Sequence, residues 1–297
     1  MRVVAWNIRA GGGQRGLALA DQLRRFRPDV AALSEFRATA PSVALARALA
    51  ELGLPHQITT ADAALPNANA LLLASRWPLE RVIAERAPEE PGRWLLARVA
   101  APPSFGIGAM HVPNRVTGRK WDFLDAVLRV AGAWRDGPAL MIGDTNSGRP
   151  GLDEESAAFN AREGEWIDGL ERAGWRDAFR LLRGPARAYT WYSPNAGNGF
   201  RIDQAFVNGE LIGRLSGVRH DWGRRGAIWG RAAALSDHAA LVVEFGDVTS
   251  PTDAGLARRR PRTALPGVAR ASLPAADAED HPLRPAATAA RRRAMSR

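Results

Sequence analysis

The sequence predicts a layered α/β fold on three observations. Many short apolar segments of strand length are interrupted by only a few helical patterns. An apolar content of 46% supplies a sizeable core, and single β-rich domains of about 250 residues are common. Five apolar segments carry a polar cluster at one end. We therefore expect two sheets packed face to face with helices outside, and the polar strand ends gathered at one rim.

The first half of the chain alternates predicted strands and helices. An apolar run over 2–7 predicts a buried strand, and the glycines at 11–13 end it before a helical pattern over 17–26. Pro28 and Asp29 restart the chain into an apolar strand over 30–34. A helix is predicted over about 42–52, and further strands near 56–60, 68–74, 81–85, 94–100 and 105–110.

The second half contains the clearest helical pattern. Apolar residues recur at three- and four-residue steps from Trp121 to Trp134, which predicts an amphipathic helix over 117–134. A weaker helical pattern covers 164–173. Strands are predicted at 138–142, 188–192, 202–207, 215–220 and 239–245.

The composition changes after residue 246. Residues 247–297 hold ten Arg and five acidic residues, so half of the net charge of +10 lies there. This segment is rich in Ala, Pro and Arg without sustained periodicity, which predicts a disordered basic tail after a domain over 1–246. Non-specific attraction to nucleic acid and a merely solvated extension both remain open for the tail.

The absence of cysteine excludes disulfides and thiolate metal sites. Carboxylate, amide and imidazole ligands remain, and they favour hard cations such as Mg²⁺ or Mn²⁺. The N-terminal residues enter a strand pattern directly, and no apolar run approaches transmembrane length. We expect a cytoplasmic monomer with no membrane span and no obligate protein partner.

An adjacent acid and imidazole, Asp237 and His238, precede the last predicted strand. Such a pair can hold a metal and move a proton, although an exposed turn is the commoner explanation for two such residues alone. Four other predicted strands carry polar residues at one end: Asn7, Glu35, Asp144 with Asn146, and Asp203. Convergence of these ends would build a single pocket.

Six short motifs in this order resemble the endonuclease/exonuclease/phosphatase superfamily, whose members include exonuclease III-like and DNase I-like nucleases, sphingomyelinases and inositol polyphosphate phosphatases. The resemblance spans about residues 1–246 and implies a four-layered α/β sandwich that hydrolyses phosphate esters with the help of Mg²⁺. The motifs are Trp6-Asn7-Ile8-Arg9, Leu33-Ser34-Glu35, His111-Val112-Pro113, Gly143-Asp144-Thr145-Asn146, Arg201-Ile202-Asp203 and Ser236-Asp237-His238.

The resemblance implies a metal site at Glu35. Asn7 matches a neutral oxygen donor or a group behind the ligand, and Asp237 matches a further carboxylate that contacts the metal directly or through water. A cation is needed because the phosphodiester is anionic and repels hydroxide. Arg9 stands where another polar ligand is frequent, which leaves one or two metals open.

The resemblance also assigns the proton chemistry. His238 matches the imidazole that contacts the scissile phosphate, and Asp203 matches the carboxylate on its other ring nitrogen. A salt bridge to Arg201 is the alternative for Asp203. Asp144 and Asn146 are suited to positioning the attacking water and an oxyanion, and the general base can be Asp144 or His238.

His111 points to a subfamily. DNase I-like enzymes and sphingomyelinases carry a His near this point, suited to protonating the leaving oxygen, whereas exonuclease III-type enzymes usually carry a Tyr. A structural His is the alternative. Phe200 replaces the Trp often found before the Arg-x-Asp motif, which weakens any expectation of abasic-site specialisation.

The loops provide the expected substrate contacts. The segment 220–231 alternates Arg with Trp and Gly, and basic and aromatic side chains serve for phosphate contact and base stacking. The alternative is an Arg-rich solvated surface with Trp packed on the core. The predicted contacts are Arg115, Arg224, Arg225, Trp229 and Arg231.

These observations predict a Mg²⁺-dependent nuclease or related phosphodiesterase. A phosphomonoesterase or a lipid or inositol phosphodiesterase on the same scaffold is the alternative enzyme, and a non-catalytic nucleic-acid-binding relative is the alternative outside enzymes. DNA or RNA as substrate, and endo or exo action, stay open.

Overall fold

A computed structural model of the chain describes residues 1–225 and 227–246. The predicted tail, 247–297, lies outside the described residues. The helices are α1 (Gly16–Phe26), α2 (Ala40–Glu51), α3 (Lys120–Ala133), α4 (Ala161–Arg172), α5 (Ala178–Arg183) and α6 (Gly209–Arg214). Within the described part of the chain, no helix is both long and apolar enough to cross a membrane.

The longer strands form two six-stranded mixed sheets. The first sheet has the order β13-β16-β1-β2-β4-β3, and the second has the order β5-β6-β7-β8-β12-β9. The first sheet comprises β1 (Arg2–Asn7), β2 (Val30–Phe36), β3 (His56–Thr59), β4 (Ala70–Ser75), β13 (Leu215–Asp221) and β16 (Ala240–Phe245). The second comprises β5 (Leu79–Arg81), β6 (Trp94–Val99), β7 (Phe105–His111), β8 (Ala139–Asp144), β9 (Trp175–Asp177) and β12 (Asp203–Asn208).

Two short hairpins complete the strands that the structure describes. β10 (Trp191–Tyr192) pairs with β11 (Gly199–Phe200), and β14 (Arg224–Arg225) pairs with β15 (Ile228–Trp229). Both pairings are antiparallel. The hairpins carry aromatic and basic side chains, including Trp191, Arg224 and Trp229.

Alternation along β1 divides its side chains between two cores. Val3 and Ala5 face the core between the sheets, together with Ile107 and Leu140 of the second sheet. Successive residues of a strand point to opposite faces, so Val4 and Trp6 face the other way. They pack in the core that α1 and α2 cover.

A third core lies on the outer face of the second sheet. There α3 and α4 contribute Phe123, Val127 and Ile167, which pack against strand residues such as Met141 and Phe206. Helix, sheet, sheet and helix therefore form four layers, and the predicted four-layered sandwich is confirmed.

Strand direction gathers the polar ends at one rim. β1 and β2 run parallel, so Asn7 and the end of β2 lie together. β7 and β8 also run parallel, and β12 begins at the rim because it is antiparallel to β8. β16 is antiparallel to β1 and begins there as well, two residues after His238.

Several predicted elements differ from the observed ones. The strand predicted at 81–85 is Leu79–Arg81, and only Trp191–Tyr192 of the one predicted at 188–192 is a strand. The six-residue helices α5 and α6 were missed because they are too short for a periodic apolar pattern. α5 begins instead at a local signal, since the Asp177 carboxylate accepts hydrogen bonds from the amides of Phe179 and Arg180.

Candidate active site

Glu35 reaches the rim through a distortion of β2. Its pairing with β4 shifts register between Ser34 and Phe36, and Glu35 itself has a left-handed φ of 57°. A bulge of this kind redirects a side chain, and a non-glycine residue in this conformation is strained. The Ala10 amide donates to Glu35 Oε2 at 2.7 Å. The strained conformation is thus tied to the position of the carboxylate.

Asn7 connects the two sheets across the rim. Its Nδ2 donates to Glu35 Oε1 at 3.2 Å and to Asp144 Oδ2 at 3.0 Å. Its Oδ1 accepts from the Arg9 amide at 3.0 Å. In this orientation the amide nitrogen, rather than the oxygen, faces the carboxylates, so Asn7 holds Glu35 and Asp144 in place.

Three predicted residues lie side by side on the second sheet. The register places His111 of β7 beside Asp144 of β8, and Asp144 beside Asp203 of β12. His111 Nε2 lies 3.7 Å from Asp144 Oδ2. All three side chains are buried, which makes their charges interact strongly.

His238 and Asp203 form a direct pair. His238 Nδ1 lies 2.9 Å from Asp203 Oδ2, and its Nε2 lies 3.8 Å from Asp144 Oδ2. Burial alone would lower the pKa of His238, but the carboxylates of Asp203 and Asp144 outweigh it and raise the pKa to about 10. The imidazole is therefore a cation at neutral pH, with Nε2 directed at Asp144.

The backbone around this pair is held by residues that the sequence did not single out. Trp6 Nε1 donates to the His238 carbonyl at 2.9 Å, and Ser236 Oγ donates to the Asn7 carbonyl at 2.6 Å. Thr190 Oγ1 accepts from the amide of Asp203 at 3.1 Å. Trp6 and Ser236 stand inside recognised motifs and offered a signal, whereas Thr190 offered none.

Asp144 and Asn146 form a compact turn after β8. The Asn146 amide donates to Asp144 Oδ1 at 3.0 Å, and Asn146 Nδ2 donates to the Val112 carbonyl at 2.8 Å. Burial raises the pKa of Asp144, and the charge of Asp203 adds to this, while His238 and His111 oppose it. A carboxylate with a raised pKa is suited to accepting a proton.

The pKa of His111 is shifted in the opposite direction to that of His238. Burial lowers its pKa to about 4, even though Asp144 acts in the other direction. Its Nδ1 has no hydrogen-bond partner within the described residues. The ring is neutral at pH 7, so its surroundings oppose the predicted role as a proton donor to the leaving oxygen.

The predicted alternative for Asp203, an ion pair with Arg201, does not form. The Arg201 guanidinium is fully buried and donates to Asp153 at 2.7 and 3.0 Å and to Asp177 at 2.6 Å. Arg201 thus joins the loop before α4 to the start of α5. Asp203 remains available to His238.

The donor set fits a hard cation. Asp144, Asp203 and His238 have polar atoms within 4.8 Å of one another. A protonated imidazole has no lone pair for a metal, so the carboxylates are the ligands of this group. Glu35 lies outside this group but shares the Asn7 amide with Asp144. Buried carboxylates crowded in this way attract a divalent metal, and their oxygens suit Mg²⁺ or Mn²⁺.

Asp237 lies at the edge of the site rather than in its centre. Its side chain is exposed, and Oδ1 lies 4.0 Å from Arg9 Nε. Ser236 Oγ lies 3.3 Å from the same carboxylate oxygen. Asp237 is therefore placed apart from the buried group of Asp144, Asp203 and His238.

The predicted substrate contacts fall into two groups. Arg224 packs over the ring of Trp229 at 4.5 Å, and Arg231 packs over Tyr192 at 4.0 Å. Trp229 is 65% exposed, so it does not pack on the core as the alternative expected. Arg225 is exposed as well.

Arg115 is exposed, and its guanidinium is also engaged with other residues of the chain. It donates to Glu163 Oε2 at 2.5 Å and to the Ala158 carbonyl at 2.7 Å. Glu163 is completely buried and also accepts from Lys120 Nζ at 2.6 Å. Arg115 thus pairs from the surface with a buried carboxylate, a contact that the sequence separation of 48 residues concealed.

Lys120 links this ion cluster to the site, and we expect Lys120→Met to impair both stability and catalysis. Lys120 Nζ donates to the Asn146 carbonyl at 2.5 Å and to Glu163. Losing these bonds leaves a buried acceptor partly unsatisfied, a cost of about 1–3 kcal/mol in the free energy of unfolding. Urea denaturation and the turnover rate measure the two effects. Equal values for Lys120→Met and the exposed control Arg162→Met would contradict the prediction.

Comparisons with known proteins agree with this architecture. An AP endonuclease from Archaeoglobus fulgidus is 19% identical, with 82% of this chain and 99% of that chain covered and a TM-score of 0.68. A 3′-5′ exonuclease, NExo, from Neisseria meningitidis is 21% identical, covers 83% of this chain and 100% of its own, and also scores 0.68. At these identities the likeness is one of fold.

The third similar structure also comes from Neisseria. A 3′ phosphatase NExo from Neisseria, bound to a product DNA hairpin, is 21% identical over 82% of this chain and 99% of its own, with a TM-score of 0.68. A search of curated proteins finds no significant match. The model of the Endonuclease/Exonuclease/phosphatase family matches residues 4–238, so the resemblance predicted from the motifs is confirmed and the chain belongs to that family.

Proposed function

We propose that this protein is a divalent-metal-dependent nuclease that hydrolyses phosphodiester bonds in nucleic acid. The observation that carries the proposal is the buried His238, paired with Asp203 at 2.9 Å and directed at Asp144. A cationic imidazole beside a carboxylate of raised pKa places a proton donor and a proton acceptor in one pocket. In-line hydrolysis of a phosphate ester needs both positive charge and an acceptor for the water's proton.

The roles follow from the charge states. His238 is already protonated, so it serves as the cation that contacts the scissile phosphate and stabilises its developing charge. Asp144 is the better candidate for the general base, because its pKa is raised and its Oδ2 lies 3.8 Å from His238 Nε2. Asn146 completes the site as a neutral group fixed by Val112. His111, neutral at pH 7, serves as a hydrogen-bonding group.

Carboxylates of the rim would hold the metal. Glu35 is the central candidate, because the Asn7 amide fixes its carboxylate at the rim. Asp237 is exposed at the edge and suits a more remote contact. When bound, Mg²⁺ or Mn²⁺ would neutralise the phosphate oxygens and the charge on the departing oxygen.

The surroundings support a polymeric substrate. Arg231 stacks on Tyr192 in a cavity that Asp237 also lines, and Arg224 stacks on Trp229 in the hairpin before Arg231. Arg contacts phosphates and exposed rings stack with bases in many nucleic-acid grooves. Two of the similar structures are described as an AP endonuclease and a 3′-5′ exonuclease.

A phosphomonoesterase is the second candidate. It is favoured by the likeness to a structure described as a 3′ phosphatase bound to a DNA hairpin. The same buried group can act on a terminal phosphate, because the attack at phosphorus is the same and only the leaving group differs.

One assay separates these functions. The purified protein is incubated with supercoiled DNA, single-stranded DNA, RNA, a 3′-phosphorylated oligonucleotide and a simple phosphomonoester, with and without metal. Nicking or shortening of a polymer supports the nuclease. Release of phosphate alone, with every DNA and RNA chain intact, would replace the nuclease by a phosphatase.

The salt dependence of binding tests the role of the basic loop. Replacing Arg224, Arg225 and Arg231 together with Ala should weaken binding to nucleic acid and flatten its dependence on salt. Each phosphate contact contributes a log-log slope of about −0.9 on duplex or −0.7 on single strands, because binding releases condensed counterions. Fluorescence anisotropy with a labelled oligonucleotide in chelator measures this slope.

A matched triple variant controls for net charge. Arg25, Arg47 and Arg129 are exposed on the outer helices α1, α2 and α3. Replacing these three with Ala removes the same charge away from the loop and should leave most of the salt slope intact. Equal slopes for the two triple variants would assign the binding to general charge and contradict a role for the loop.

A further inference from the structure

A cavity of about 370 Å³ adjoins the candidate active site on the side of Asp237. Its walls combine three guanidinium groups with two aromatic rings and one carboxylate. The residues that carry these groups are Arg9, Arg15, Arg231, Tyr192, Trp222 and Asp237. None of Arg9, Arg15, Tyr192 and Trp222 was among the substrate contacts predicted from the sequence.

Arg9 lies where β1 leaves the rim. Its backbone is left-handed, with φ 55°, and its side chain is 63% exposed. The nearest described carboxylate is Asp237, at 4.0 Å, which is the limit of an ion pair. Arg9 therefore presents a positive charge at the rim beside Asp237.

Arg15 holds a second positive charge beside the first. Its guanidinium donates to the Arg9 carbonyl at 2.6 Å and to the Leu235 carbonyl. These bonds fix the loop after β1 to the segment before Asp237. Burial lowers the pKa of Arg15, and the charge of Arg9 lowers it further, so the two cations repel each other. An anion between them would relieve the repulsion.

Arg231 approaches from a different loop. Its guanidinium packs over the Tyr192 ring at 4.0 Å, and the Tyr192 and Trp222 rings lie 5.9 Å apart. Its N–H groups have no acceptor among residues 1–225 and 227–246. Stacking on a ring therefore orients the guanidinium while leaving its donors available.

We propose that this cavity binds a nucleotide phosphate other than the one that is cleaved, with the attached base against Tyr192 and Trp222. Three cations and one carboxylate give the cavity a net positive charge, which favours binding of an anion. Guanidinium groups match the geometry of phosphate oxygens. The adjacent aromatic rings favour stacking with a planar group such as a base. This inference rests on the proposed nuclease function for the kind of phosphate ester that arrives, and it assigns the flanking nucleotide to the Asp237 side of the site.

Calorimetric titration tests the subsite without hydrolysis. The full-length protein with the His238→Ala change, in chelator, is titrated with deoxyadenosine 5′-monophosphate, inorganic phosphate and deoxyadenosine. The His238 change removes the proposed contact to the scissile phosphate. The nucleotide is expected to bind most tightly, phosphate more weakly, and the nucleoside least. Deoxyadenosine binding as tightly as its monophosphate would overturn the proposal.

Substitutions then locate the binding. In the same background, Arg9→Gln and Arg231→Gln should each raise the dissociation constant of the nucleotide at least about tenfold. Trp222→Leu should weaken the nucleotide but not inorganic phosphate. Arg47→Gln, an exposed arginine on α2, serves as the matched control, and an unchanged melting temperature shows that each variant folds. Equal nucleotide affinity in Arg9→Gln and Arg47→Gln would overturn the proposal.

One further ligand distinguishes a nucleotide phosphate from a lipid phosphate. Dihexanoyl phosphatidic acid presents a phosphate without a base, and tighter binding of this lipid than of the nucleotide would overturn the nucleotide assignment. Polymer cleavage together with unchanged affinity in Arg9→Gln refutes the subsite and leaves the nuclease intact. Nucleotide binding that depends on Arg9, with no cleavage of any polymer, supports the subsite and refutes the nuclease.

Discussion

Replacing His238 with Ala is expected to lower the rate of phosphodiester hydrolysis at least about a hundredfold. The change removes a buried cation whose pKa is raised to about 10 and whose Nε2 faces Asp144 at 3.8 Å. Single-turnover hydrolysis under saturating metal measures the chemical step. His56→Ala, which changes an exposed imidazole on β3, is the matched control and should keep the rate of the wild type.

Asp203→Asn should cause a comparable loss because the two side chains act as one unit. Removing the carboxylate lowers the pKa of His238, since Asp203 is the largest of the effects that raise it. The double variant should therefore lose much less than the product of the two single losses. Losses of rate that multiply fully in the double variant would show that the two residues act independently. An unchanged His238 pKa in Asp203→Asn, measured by NMR titration, would show the same.

Arg201→Met is expected to give the largest loss of stability. It would leave the buried carboxylates of Asp153 and Asp177 without their shared cation, and breaking a buried pair from one side costs about 3–5 kcal/mol. Urea denaturation measures the difference in the free energy of unfolding. Arg76→Met removes an exposed ion pair with Asp29 and should cost at most about 1 kcal/mol. Equal costs would mean that the Arg201 network contributes no more than a surface pair.

The pH dependence of this effect has a definite sign. Burial alone would raise the pKa of Asp153, but Arg201 outweighs it and the pKa is lowered. A carboxylate with a lowered pKa stabilises the fold above its unfolded pKa of about 4 and loses that contribution as the pH falls. The difference in the free energy of unfolding between wild type and Arg201→Met should therefore become smaller in acid. A gap that widens below about pH 4 would contradict the assignment of the network.

The strands that build the site could be predicted because their apolar runs end in polar residues. Val3 to Trp6 and Leu140 to Ile142 are continuous buried runs. Asn7 follows the first directly, and Asp144 follows the second after Gly143. Local pattern was sufficient there, since a buried strand needs little more than apolar side chains of the right length. The same pattern placed Glu35 near the rim, although only the bulge and its left-handed backbone aim it at Asn7.

Long-range partners could not be predicted in the same way. Arg201 pairs with Asp153 and Asp177, which lie 48 and 24 residues away, and nothing in the local sequence distinguishes them from Asp203. Arg115 lies in a basic loop by sequence yet donates to the buried Glu163. Charged side chains choose partners through the fold, so their local spacing is a weak guide.

Hydrolysis of a labelled oligonucleotide, with and without divalent metal, tests the central claim most directly. The wild type should be inactive in chelator and regain cleavage with Mg²⁺ or Mn²⁺. Glu35→Gln should need a much higher metal concentration, while Glu80→Gln, an exposed carboxylate on β5, should behave as the wild type. Full cleavage in chelator, or an unchanged metal requirement in Glu35→Gln, would contradict a metal-dependent nuclease centred on this rim.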